Sequence, residues 1–159
     1  MVTAAIQDKT QYLTFKLGDE IYALNIEKVR EVLDFATITK VPRMPDFMSG
    51  VINLRGSVVP VVDLRRRFGM SRTEKTVNTC VIITEVAVDG ITMVLGALAD
   101  SVQEVIDMDP GSISPAPKIG TSLRTEFISG IGKREDHFII ILDIDRVFSS
   151  GELAAVGGS

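Results

Sequence analysis

The chain has 159 residues, 45% of them apolar, and its 17 Lys and Arg against 21 Asp and Glu give a formal charge of −4. That length suits one ordinary domain or two very small ones, able to bury a core without covalent staples. The slight acidic excess supplies no long-range field for gathering polyanions, and the single cysteine, Cys80, excludes an internal disulfide; a cytoplasmic setting fits best.

Residues 1–10 lack both the basic start and the apolar core of a secretion signal, and read as a flexible N-terminal arm. QYLTFKL, 11–17, alternates Leu13, Phe15 and Leu17 against Tyr12, Thr14 and Lys16, and Gly18-Asp19 turns the chain into IYALNI, which predicts a β-hairpin. IEKVREVL follows, with Ile26, Val29, Val32 and Leu33 at helical spacing, and reads as a short helix. Next comes FMSGVINLRGSVVPVVDLRRRF, 47–68, an apolar hairpin pattern around Arg55-Gly56. It closes on Arg65-Arg66-Arg67, expected to be a solvated turn with a short helical stretch reaching Phe68. TVNTCVIITEV, Asp89-Gly90 and ITMVLGALA spell another hairpin, with Cys80 expected as a buried, inert thiol. The loop 109–124 is the longest irregular stretch. FISGIGKREDHFIIILDIDRVF, 127–148, is again a hairpin, with His137 expected in a solvated turn and a helical end at Arg146–Phe148. Residues 150–159 read as a tail. No apolar run approaches the ~18 residues of a membrane span, so direct membrane insertion is not expected.

The chain repeats itself. Residues 47–68 align without a gap on 127–148 at a constant offset of 80, with Phe47, Ser49, Gly50, Asp63, Arg66 and Phe68 identical to Phe127, Ser129, Gly130, Asp143, Arg146 and Phe148. VREVLD, 29–34, is echoed by VQEVID, 102–107. Many short β-segments, regular turns and little helix predict an all-β fold of two small five-stranded β-barrels, since closure removes exposed edges. The simplest division places one barrel at 11–77 and the other at 78–149, with strand exchange between halves possible.

Residues that carry catalysis are scarce. His137 and Cys80 are each alone in kind, and neither has metal-ligand or nucleophile–base company nearby. Asp143 and Asp145 in ILDIDRVF would share a face of a strand and could hold magnesium, yet no phosphate loop accompanies them; a strand-end or helix-capping role is the plainer reading. No glycine pattern matches a nucleotide-binding loop. Small β-barrels that bind single strands add aromatic platforms to a basic groove, whereas aromatics make up 6% of this chain and tryptophan is absent. No enzyme, no cofactor, no metal and no nucleic acid are expected. Surface for holding other proteins remains.

YLTFKLGDEIYALNIEKVREVL, FMSGVINLRGSVVPVVDLRRRFG and FISGIGKREDHFIIILDIDRVF together resemble the CheW-like family of chemotaxis coupling proteins, over roughly residues 11–149. The resemblance implies two five-stranded barrels around a shared apolar core, with one or more short helices, and a non-enzymatic, cytoplasmic adaptor. Such adaptors join the regulatory domain of the histidine kinase CheA to the cytoplasmic tip of methyl-accepting chemoreceptors. No receiver domain follows and no kinase segment precedes in this sequence, so the expectation is a stand-alone coupler. The alternatives are a CheW-like adaptor of a non-chemotactic array and a small nucleic-acid-binding β-barrel.

Carried over residue by residue, the resemblance assigns receptor contact to Val29, Glu31, Arg55, Val102 and Val105. Val29 and Val105 serve equally well as core residues, and Glu31 as a solvated charge. Arg55 either meets a partner or forms a structural salt bridge, for which Asp63 is the candidate. Gly50 and Gly56 read as structural glycines near the binding groove. Phe35, Ile38 and Val41 are candidates for the kinase-facing surface, with filling of the first barrel as the rival role.

Overall fold

A computed structural model of the chain describes residues 9–34, 37–88, 90–115 and 127–147. Eleven strands form in order: β1 (Thr10–Leu17), β2 (Glu20–Asn25), β3 (Val29–Asp34), β4 (Met48–Leu54), β5 (Ser57–Asp63), β6 (Cys80–Val88), β7 (Ile91–Ala99), β8 (Ser101–Met108), β9 (Ile113–Ser114), β10 (Ile128–Arg134) and β11 (His137–Leu142). Two four-residue helices, α1 (Leu64–Arg67) and α2 (Ile144–Val147), follow β5 and β11. The fold is all-β. A six-stranded sheet runs β8-β1-β2-β11-β10-β9 and a five-stranded sheet runs β3-β6-β7-β5-β4.

The repeat is visible in the register. Gly50 opposes Val61 between β4 and β5, Gly130 opposes Ile141 between β10 and β11, and each ladder shifts at the same place, after Met48 and after Ile128. The sheets do not follow the sequence halves. The β1–β2 hairpin joins the six-stranded sheet through a parallel pairing of β2 with β11, while β6–β7 joins the five-stranded sheet through a parallel pairing of β7 with β5. A cut near residue 78 therefore separates neither sheet from the other: each half lends its first hairpin across.

Alternation along the strands explains why two curled layers form. In β2, Ile21 and Ala23 face a cluster with Tyr12, Ile106, Ile139 and Ile141, whereas Tyr22 and Leu24 face the other way. In β5, Val59 and Val61 face a cluster with Ile52, Val81, Ile83 and Leu98, whereas Val62 faces away. Each sheet thus encloses its own interior, and its outer face joins a third, larger core between the sheets. Phe15, Tyr22, Phe68 and Phe127 form a chain of rings through that shared core, with centroids 6.0, 5.9 and 5.9 Å apart.

The expectation of closed barrels needs correction, because both strand orders are linear. The edges meet through a crossing chain instead of a full ladder. In the five-stranded sheet the chain leaving β3 returns to β4 at Thr39, whose N–H donates to Val51 O at 2.8 Å while Val51 N–H donates to Thr39 O at 2.9 Å. In the six-stranded sheet the two residues of β9 pair with Gly132 and Ile131, the latter being the repeat counterpart of Val51. Gly50 permits the first crossing: its φ is +143°, and a Cβ there would lie 2.2 Å from Thr39 O.

Three further expectations change. Only Ile26–Lys28 is helical in the IEKVREVL stretch, a single 3₁₀ turn capped by Asn25. Val29–Asp34 is strand, because its half-buried and exposed residues alternate and β6 offers it a ladder. Cys80 is only half-buried. The arginine run is engaged rather than solvated: Arg65 donates to Asp100 at 2.8 Å and Arg66 pairs with Asp46. Arg67 lies over the rings of Phe127 and Phe47, 4.7 and 5.2 Å from their centroids, and donates to Val147 O at 2.8 Å. Val147 is Arg67's own counterpart in the repeat, and Phe47 and Phe127 are counterparts of each other, so Arg67 marks the place where the two copies meet.

Candidate functional site

All five receptor-contact candidates fall on edge strands or on a turn fastened to one. Val29 and Glu31 lie on β3, at one end of the five-stranded sheet, and Val102 and Val105 lie on β8, at one end of the six-stranded sheet. Val29 and Val102 occupy equivalent places in the repeat, and both pack half-buried against the shared core. Val105 opposes Leu13 on β1, joins none of the core clusters and is 47% exposed.

The β4–β5 turn carries Arg55 to β3. Arg55 has φ 50° and Gly56 φ 90°, the two left-handed positions of a type I′ turn, and Asn53 Oδ1 accepts from Gly56 N–H at 2.8 Å. The guanidinium then reaches Glu31 with both terminal nitrogens, Nη1 to Oε1 at 3.4 Å and Nη2 to Oε2. Asp63, the partner considered from sequence, is engaged elsewhere: it accepts from Arg65 N–H at 3.1 Å as the cap of α1, and from Thr73 N–H at 2.9 Å. The hydrogen bond from Arg55 holds the Glu31 carboxyl below its ordinary 4.5, and the charges of Arg55 and Arg30 add to the effect. Arg55 remains largely exposed while Glu31 is about a third exposed, so this clasp is a surface feature whose outer face is open to a partner.

The structure separates the kinase-facing candidates. Ile38 packs on the interior cluster of the five-stranded sheet, Val41 is 39% exposed, and Phe35 lies outside the described residues. Asp143 and Asp145 do not form a pair: Asp145 accepts from Lys28 Nζ and from Ala87 N–H, both at 2.9 Å, and Asp143 begins α2. Among the described residues no group of three His, Cys, Asp or Glu side chains could hold a metal, and no helix is long and apolar enough to cross a membrane.

The repeat assigns Glu135 to the place of Arg55, and what sequence reasoning missed is Glu104 beside it. Glu104 on β8 stands where Glu31 stands on β3, and Glu135, at φ 55°, stands where Arg55 stands. With two carboxylates no clasp forms, and a mouth of about 140 Å³ opens over Ile21, Ile106 and Ile139. The signal lies in the two self-alignments taken together: VREVLD on VQEVID pairs Glu31 with Glu104, and 47–68 on 127–148 pairs Arg55 with Glu135.

The CheW-like domain model matches residues 11–152. The chain is 36% identical to "Chemotaxis protein CheW" of Klebsiella aerogenes, covering 92% of this chain and 86% of that protein. It is 34% identical to the protein of the same name from Rhizobium meliloti, covering 91% of each. The crystal structure of "scaffolding protein TtCheW" from Thermoanaerobacter tengcongensis superposes with a TM-score of 0.79 at 38% identity, covering 90% of this chain and 94% of that one. The chain belongs to the CheW-like family of chemotaxis scaffold proteins.

Proposed function

We propose that this protein is a non-enzymatic, cytoplasmic adaptor that couples methyl-accepting chemoreceptors to the histidine kinase CheA. The observation that carries the reading is that Val29, Glu31, Arg55, Val102 and Val105 all lie on the edge strands β3 and β8 or on the turn clasped to β3. The receptor's helical tip packs on the valines, and its polar side chains meet the open face of the Glu31–Arg55 pair. An amphipathic helix docked by a few desolvated anchors is an ordinary recognition mode. Of the kinase-facing candidates, Val41, which is exposed, is the one assigned to that surface. Transmission is geometric: a shift in the receptor tip biases the kinase through a rigid link, by differential contact with its two states.

Nucleic-acid binding loses its main support, because Arg65, Arg66 and Arg67 are all committed to internal partners. The test is reconstitution with receptor and kinase. Wild-type protein is expected to be required for the ternary complex. Arg55→Ala is expected to fold normally by circular dichroism yet lose receptor-coupled kinase activation; full activation by this folded variant would overturn the assignment of Arg55.

A further inference from the structure

The two repeats place the same carboxylate beside the same turn with opposite results. On β3, Glu31 receives the guanidinium of Arg55. On β8, Glu104 faces the mouth that Glu135 also lines. The scaffold has been kept on both sides. Arg55 and Glu135 share a left-handed φ, 50° and 55°, at the first position of the two counterpart turns. Thr14 fixes the backbone of Glu104, donating from Oγ1 to Glu104 O at 2.8 Å and accepting from Glu104 N–H at 3.1 Å.

What the β8 side lacks is a cation at the turn position, where Glu135 stands in place of Arg55. The mouth's floor is apolar, made by Ile21, Ile106 and Ile139, and its rim carries Gln103, Glu104, Glu135, Arg134 and His137. Arg134 is the one internal rival, yet among the described residues it forms no ion pair with either carboxylate, and two carboxylates against one guanidinium leave the rim net negative. At about 140 Å³ the mouth is well below the roughly 300–1,000 Å³ of small-molecule sites, and suits one inserted side chain. An apolar floor beneath two carboxylates matches arginine, whose methylene stem is apolar and whose planar head donates to carboxylates in pairs.

We propose that this mouth is a socket for an arginine carried on an exposed segment of a partner protein, which completes in trans the clasp that Arg55 completes in cis on the other sheet.

The probe is the blocked tripeptide acetyl-Gly-Arg-Gly-amide, titrated into the full chain and followed by amide chemical shifts. Saturable shifts are expected at Gln103, Glu104, Glu135 and His137, with none around Glu31. The same peptide with citrulline, which keeps the shape and loses the charge, is expected to bind at least about ten-fold more weakly. Glu135→Arg builds the missing clasp within the chain and is expected to abolish the shifts. The Glu104→Gln/Glu135→Gln pair, which only removes charge from an exposed rim, is expected to do the same, while Glu31→Gln leaves binding intact. Absence of saturable shifts, equal binding of the citrulline peptide, or persistence in both Glu135→Arg and the double Gln variant would each overturn the proposal. With a tripeptide as ligand, the outcome is independent of whether the chain couples receptors to a kinase.

Discussion

The two curled sheets present one design in two states. Around β3, Glu31 and Arg55 fasten the β4–β5 turn to the edge strand; around β8, Glu104 and Glu135 leave the β10–β11 turn unfastened over an apolar floor. Folding demands neither arrangement, since the same bulge, the same left-handed φ at the first turn residue and a crossing chain paired to the hairpin occur in both. What differs between the copies at 55 and 135 is therefore not dictated by the fold. What is shared reflects what the scaffold needs, and the shared features carry the larger energies.

The glycines at the crossings test that ranking most severely. Gly50 and Gly130 occupy matching bulges, but a Cβ at Gly50 would strike backbone, Thr39 O at 2.2 Å, from a φ of +143°. At Gly130 the nearest atom is a movable one, Ile113 Cγ2 at 2.6 Å, with Ser114 O at 3.1 Å. Gly50→Ala is expected to cost about 3–5 kcal/mol, through strained backbone and a broken Thr39–Val51 bridge, or to prevent folding. Gly130→Ala is expected to cost about 1–2 kcal/mol as Ile113 repacks. Urea unfolding of the two variants measures the difference; equal losses would mean that the two crossings are closed in the same way.

Arg67 comes second. It sits between the counterpart rings Phe47 and Phe127 and donates to Val147 O, so it serves both copies at once although only one encodes it. Arg67→Ala removes two cation–π contacts, a charge-assisted hydrogen bond and a packed stem, with an expected loss of about 2–3 kcal/mol in denaturant unfolding. Arg67→Lys keeps the charge but not the planar head, and is expected to recover only part of that loss. A stability unchanged in Arg67→Ala would show that the rings alone hold the two copies together.

These residues also show how far the sequence could be read. The repeat, the hairpins and their turns were legible because alternation and turn chemistry are local, and an offset of 80 is visible in the letters. The exchange of hairpins was not legible, since β2 meets β11 and β7 meets β5 by parallel pairings that leave no local mark. VREVLD misled because Val29, Val32 and Leu33 satisfy a helical spacing, and the tertiary ladder to β6 overrode it. Arg65, Arg66 and Arg67 looked like a solvated run because their partners Asp100, Asp46 and the two phenylalanines are remote in the chain. Glu31 and Arg55 both stand out in the sequence, but Asp63 is the ion-pair candidate it offers for Arg55, and the pairing with Glu31 required the fold.

The smallest expected effect separates the two sides most cleanly. Glu31's carboxyl is held below its ordinary 4.5, first by the hydrogen bond from Arg55, against some desolvation, with the charges of Arg55 and Arg30 assisting. A depressed folded-state value means that the folded protein binds this proton less readily than the unfolded chain. The clasp's contribution is thus fully present above the ordinary value and is lost as pH falls through the lowered one. Because the pair is exposed, the global stability change is expected to be slight and the local one readable. A carboxyl-detected NMR titration of Glu31 is expected to show a midpoint below 4.5 that climbs toward the ordinary value in Arg55→Ala, and partly climbs in high salt as the pair is screened. A Glu31 midpoint indifferent to Arg55 would mean that the β4–β5 turn is as unfastened in solution as the β10–β11 turn, and the distinction between the copies would then rest on charge alone.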